Sequence, residues 1–147
     1  MIEKLKIKLP RVKAVFNRIN CGGCGFFAAI LYSELKKLGL NPKIILIANS
    51  SDIEDYMDNG QLTESLAALN MNQIYLIHVM IKVGDYYLDA EGVHKSAWNG
   101  HEINITHASL KESLRKGQRH CWNRLFDWEQ TKPITKTLKE IIKESLN

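Results

Sequence analysis

Three side chains able to do covalent chemistry together are Cys24, His78 and Asp89. Cys24 lies in the run Asn20-Cys21-Gly22-Gly23-Cys24-Gly25-Phe26-Phe27, immediately before an apolar pattern of helical period. A thiol in the first turn of a helix faces unpaired N–H groups and the positive end of the helix dipole. That setting favours a thiolate and lowers its pKa below the free value of about 8.5. Gly22, Gly23 and Gly25 have no Cβ, so a substrate can come close to the backbone. Their N–H groups are suited to receive a developing oxyanion. Gly23 and the amide of Asn20 are the candidates for that role, with Asn17 behind them. The plainer reading of Cys24 is a small core residue at a helix start.

His78 interrupts an apolar strand. Over Gln73 to Ala90, Ile77, Val79, Ile81 and Val83 alternate with His78, Met80 and Lys82. Gly84-Asp85 supplies a two-residue hairpin loop with Gly first, as a type II′ turn wants. The return strand then puts Tyr86, Leu88 and Ala90 on the apolar face, and Tyr87 and Asp89 on the other. In this register Val83 faces Tyr86, Lys82 faces Tyr87, Ile81 faces Leu88, Met80 faces Asp89 and His78 faces Glu91. Asp89 is the diagonal neighbour of His78 on the same face, about 7–8 Å away at the backbone. A carboxylate there fixes an imidazole's tautomer and stabilises its cation. A thiol, a base and an orienting acid are the parts of covalent acyl transfer.

Positioning these three requires a helix and a hairpin. Phe26, Phe27, Ile30, Leu31, Leu35 and Leu38 recur at helical spacing and Gly39 stops them, which predicts a helix from about Cys24 to Leu38. Lys43 to Ala48 reads as a buried strand after Asn-Pro, and Glu102 to Thr106 as a further short strand. Ile2 to Ile19 reads as helical or mixed, broken near Pro10. Gln61 to Leu69, Ser109 to Lys116 and Ile134 to Leu146 read as helices, and Ser50 to Gly60 as an acidic irregular stretch. No repeat or linker divides the chain, so the expectation is one α+β domain over residues 1–147.

Composition narrows the function classes. With 20 Lys and Arg against 16 Asp and Glu, the net charge of +4 is too small and scattered to argue for nucleic acid. Lys4, Lys6, Lys8, Arg11 and Lys13 cluster near the N-terminus, where a weak anionic partner stays open. The start IEKLKIKL alternates apolar and charged residues, unlike a secretory leader. No apolar run is long enough to span a bilayer. Three cysteines do not make a disulfide framework, so a reducing, cytoplasmic setting is expected.

In these motifs the chain resembles the papain-like cysteine protease superfamily, especially its transglutaminase-like branch. Gly22-Gly23-Cys24-Gly25-Phe26-Phe27-Ala28 is similar to the segment that opens that branch's nucleophile helix, and Leu38-Gly39-Leu40-Asn41-Pro42-Lys43 to its end. His78-Val79-Met80 and Tyr86-Tyr87-Leu88-Asp89 follow the order of the branch's His and Asp strands. Arylamine N-acetyltransferases resemble it in the same way. Cys21-Gly22-Gly23-Cys24 is also similar to the Cys-Gly-Ser-Cys of papain, but papain-type enzymes place their His far downstream and use Asn as third member. The likeness covers about half the chain, Asn20 to Gly92. It departs at Gly25 and Phe26, where the branch usually has Asp or Trp, and in the short His-to-Asp loop. The resemblance implies a nucleophile helix packed on a small antiparallel sheet. It also implies Cys24 as nucleophile, His78 as base, Asp89 as orienter, no cofactor, and a peptide or protein amide as substrate.

Two other readings stand beside this one. A transglutaminase-like fold can serve as a non-catalytic binding module. Cys21-x-x-Cys24 is half of a zinc knuckle, which His120-Cys121 or one of His94, His101 and His107 would have to complete. The segment His120 to Gln130 is read as core in preference to a lid or a substrate-binding surface.

Overall fold

The computed structural model describes residues 2–15, 24–48, 76–96, 101–115, 129 and 131–146. The N-terminal segment forms α1 (Ile2–Lys8), a 3-10 turn (Leu9–Arg11) and α2 (Val12–Val15). Pro10 sits at the start of the 3-10 turn, where its missing N–H costs least. Leu5, Leu9 and Val12, spaced by four and three, are fully buried.

α3 (Cys24–Lys37) ends one residue short of the expected Leu38. It is buried all round from Cys24 to Leu31, as befits a helix inside the core. Its C-terminus closes with Gly39 N–H donating to the Lys36 carbonyl at 3.0 Å and Leu40 N–H to the Leu35 carbonyl at 3.3 Å. This is a Schellman cap on Gly39, whose φ of +80° suits glycine.

The strands are β1 (Lys43–Ala48), β2 (Leu76–Val83), β3 (Tyr86–Asp89), β4 (Gly92–His94) and β5 (His101–Ile105). They form one antiparallel sheet in the order β4-β3-β2-β1-β5. The β2/β3 register is as expected for Val83–Tyr86, Lys82–Tyr87 and Ile81–Leu88. Beyond that the chain departs from a continued hairpin. β3 ends at Asp89 and the Ala90-Glu91 turn leads back into β4, so Asp89 pairs with Gly92. Glu91 therefore stands in a turn and not on a strand facing His78. β4 itself was not legible as a strand, because three residues, Gly-Val-His, carry no alternation to read.

α4 (His107–Arg115) starts two residues before the expected Ser109, because Thr106 Oγ1 caps it by accepting the Ser109 N–H at 3.1 Å. α5 (Lys132–Leu146) likewise starts ahead of Ile134, with Pro133 in its first turn. The readings of residues 50–60, 61–69 and 120–128 lie outside the described residues.

One face of the sheet carries Ile44, Leu46, Val79, Ile81, Leu88 and Ile105 into a core shared with the five described helices. α3 lies between this face and α5, and also touches α4. The opposite face buries Ile45, Ile47, Met80 and Tyr87. There Tyr87 Oη on β3 donates to Glu102 Oε1 on β5 at 2.8 Å. Three strand spacings alone amount to about 14 Å, and the register offsets the two residues along the strands as well. Two side chains cannot bridge that over a flat surface, so the sheet coils to make this face concave. Among the described residues, no helix is long and apolar enough to cross a membrane.

Candidate active site

Cys24 is the first residue of α3 and is 7% exposed. It takes that place because the apolar residues of helical period begin two positions on, at Phe26. His78 is the point where the regular β1/β2 ladder stops. Ile47 pairs with His78 and Ala48 with Leu76, which leaves Ile77 as an extra residue on β2. Such an irregularity bends a strand and re-aims the side chains beside it. It lies where the imidazole meets the first residue of α3.

His78 is hydrogen-bonded to both Cys24 and Asp89. Its Nε2–H donates to Asp89 Oδ2 at 2.8 Å, since an ionised carboxylate can only accept. Nδ1 is then the ring nitrogen left for the thiol. Burial works against the His78 cation. The hydrogen bonds to Asp89 and Cys24 outweigh it and carry the pKa from 6.5 up to about 9.

Asp89 is 2% exposed and accepts from three donors. Besides His78, its Oδ1 takes the His94 Nε2–H and the Glu91 backbone N–H, each at 2.8 Å. Burial by itself would raise the Asp89 pKa, but the bonds to His78 and His94 hold it below the ordinary 3.8. The Glu91 N–H bond closes an Asx turn. Gly92 follows with φ +128°, and a Cβ there would sit 2.9 Å from the Lys6 carbonyl oxygen on α1. The Glu91 carboxylate points elsewhere and pairs with Lys13 of α2.

The structure thus brings Cys24, His78 and Asp89 into one hydrogen-bonded chain. Asn17, Asn20 and Gly23 lie outside the described residues. Sequence reasoning missed His94 as an Asp89 partner. The available signal was Asp89-x-x-Gly92, a turn pattern that sends the chain straight back beside Asp89. His107, a candidate zinc ligand, is instead docked on α3. Its Nε2 donates to the Ala29 carbonyl at 3.0 Å and its ring stacks on Tyr32 at 4.8 Å. Burial lowers the His107 pKa, and Lys111 adds to that against the bond to Ala29. No group of three or more His, Cys, Asp or Glu able to hold a metal is found among the described residues. Cys21, His120 and Cys121 are not among them.

Comparison of the chain with protein-family models, with curated proteins and with solved structures gives no match.

Proposed function

We propose that this chain is a cysteine-dependent acyl-transfer enzyme acting on a peptide or protein amide, with Cys24 as nucleophile, His78 as general base and acid, and Asp89 as orienter. One observation carries the reading: a single buried imidazole is bonded at once to a thiol at a helix start and to a buried carboxylate. The resemblance of the flanking motifs to the transglutaminase-like branch of the papain-like superfamily agrees with it.

The Cys24 sulfur attacks the amide carbonyl carbon, and the carbonyl electron pair moves to oxygen. As the tetrahedral species collapses, the C–N bond breaks and His78 Nδ1–H protonates the departing amine. This leaves a thioester on Cys24 and a neutral imidazole. Water, or an amine acceptor, then attacks the thioester while His78 takes its proton. The C–S bond breaks and the thiolate–imidazolium pair returns. Asp89 stays ionised throughout, holding Nε2–H so that Nδ1 faces the sulfur.

The test is the rate of iodoacetamide labelling of each cysteine from pH 4 to 9, in wild type and His78→Ala. The expected outcome is that Cys24 labels fast below about pH 7 and that His78→Ala removes this reactivity. Cys24→Ala should keep the fold and lose all turnover. An ordinary thiol profile for folded Cys24, or labelling only after unfolding, would hand the site to the binding-module reading.

A further inference from the structure

We propose that His94 is a positioning residue of this site, holding Asp89 Oδ1 so that Oδ2 is aimed at His78. The inference rests on the assignment of Cys24, His78 and Asp89 above. Rotation about the last bond of an aspartate side chain is soft and roughly two-fold. One bond to His78 leaves the carboxylate plane free to swing. The His94 Nε2–H and the Glu91 N–H both end on Oδ1 at 2.8 Å and pin the plane from the far side. His94 is the member of the cluster that reaches solvent. Its side chain is 34% exposed, against 7% for His78 and 2% for Asp89.

The backbone builds this contact in. Asp89 closes its own turn on Glu91, and Gly92 is pressed against the Lys6 carbonyl. Strand alternation then returns His94 to the face that carries Asp89, in register with Tyr87. Among the described residues, the titratable and charged groups of this cluster are His78 on β2 and His94 on β4 against Asp89, Cys24 on α3 against His78, and Glu91 in the turn paired with Lys13 of α2.

The experiment follows the His78 ring titration by NMR in wild type, His94→Ala, His94→Leu and His94→Gln, with thermal melting of each. Gln keeps an N–H donor at a reach similar to Nε2, whereas Leu keeps bulk without a donor. His94→Ala and His94→Leu should lower the His78 midpoint by about one unit, because an Oδ2 no longer aimed at the imidazole gives up part of its charge-assisted bond to the His78 cation. His94→Gln should restore most of it. Cys24 alkylation at pH 6 should fall about tenfold in the first two variants and recover in the third. If Ala does not fold, Leu against Gln reads the same quantity.

A His78 midpoint that stays put in Ala and Leu overturns the proposal, whatever happens to the melting temperature. A midpoint that rises also overturns it, because His94 would then compete for the Asp89 charge and not align it. The titration needs no turnover. Inert Cys24 in wild type would therefore end the catalytic reading while the His94 result is read separately.

Discussion

Asp89 receives three N–H donors and has no hydrogen to give, so an amide in its place must turn its NH2 toward at least one of them. We expect Asp89→Asn to slow Cys24 alkylation at pH 6 by about tenfold or more, because the His78 cation loses its partner. Unlike a change that touches orientation alone, it should also cost about 1–3 kcal/mol in urea unfolding, the worth of an unsatisfied buried polar contact. Wild-type alkylation in Asp89→Asn would remove Asp89 from the site. At this scale the sequence was informative about Cys24, His78 and Asp89, because each stands in a pattern that local geometry decodes. His94 was not decoded, because its contact depends on a side-chain-closed turn that no periodicity reports.

Among the elements, the turn between β3 and β4 carries the site. Gly92 combines a φ of +128° with a Cβ position 2.9 Å from the Lys6 carbonyl oxygen, a backbone atom that cannot swing aside. Gly92→Ala should therefore destabilise by roughly 1–3 kcal/mol and slow Cys24 labelling, since the turn holds Asp89 and His94. Gly39→Ala is the control. It has φ +80° but nothing within 4 Å of the added Cβ, so it should cost only about 1 kcal/mol and leave labelling alone. Urea unfolding of both decides this, and equal costs would mean that α1 does not press on the turn. The hairpin register was legible as far as Leu88, because Gly84-Asp85 sets the turn and alternation sets the faces. It stopped being legible where the Asp89 side chain bends the chain away.

For the molecule as a whole, the buried cluster sets a pH window. The Asp89 pKa is held below 3.8, so its contribution is present above that value and is lost as pH falls through the folded one. His78, raised to about 9, contributes fully below 6.5 and loses that contribution as pH rises through about 9. His107 runs the other way. Its folded pKa is lowered, so its contribution is present above 6.5 and is lost as pH falls. Urea midpoints at pH 5, 4, 3 and 2 should drop more steeply in wild type than in Asp89→Asn. Parallel curves would show that Asp89 does not hold its charge against protonation. The same scale explains why both sheet faces bury apolar side chains. α3 covers one face, and the coiled sheet folds the other around Ile45, Ile47, Met80 and Tyr87. A sequence shows the alternation of such residues, but coiling comes from the sum of twists over several strands.

The sequence by itself determined which residues share a side of each element. Apolar spacing made α3 a core helix with Cys24 at its head, and alternation about Gly84-Asp85 put His78 and Asp89 on one face. These are consequences of near neighbours and fixed periods, which any stretch of chain carries with it. Only the tertiary structure decided that α3 docks with Cys24 against His78, that β1 lies between β2 and β5, and that His94 closes on Asp89. Those contacts join residues far apart in the chain or beyond a turn, and they form only because burying the core outweighs the loss of chain freedom. No local pattern encodes that balance.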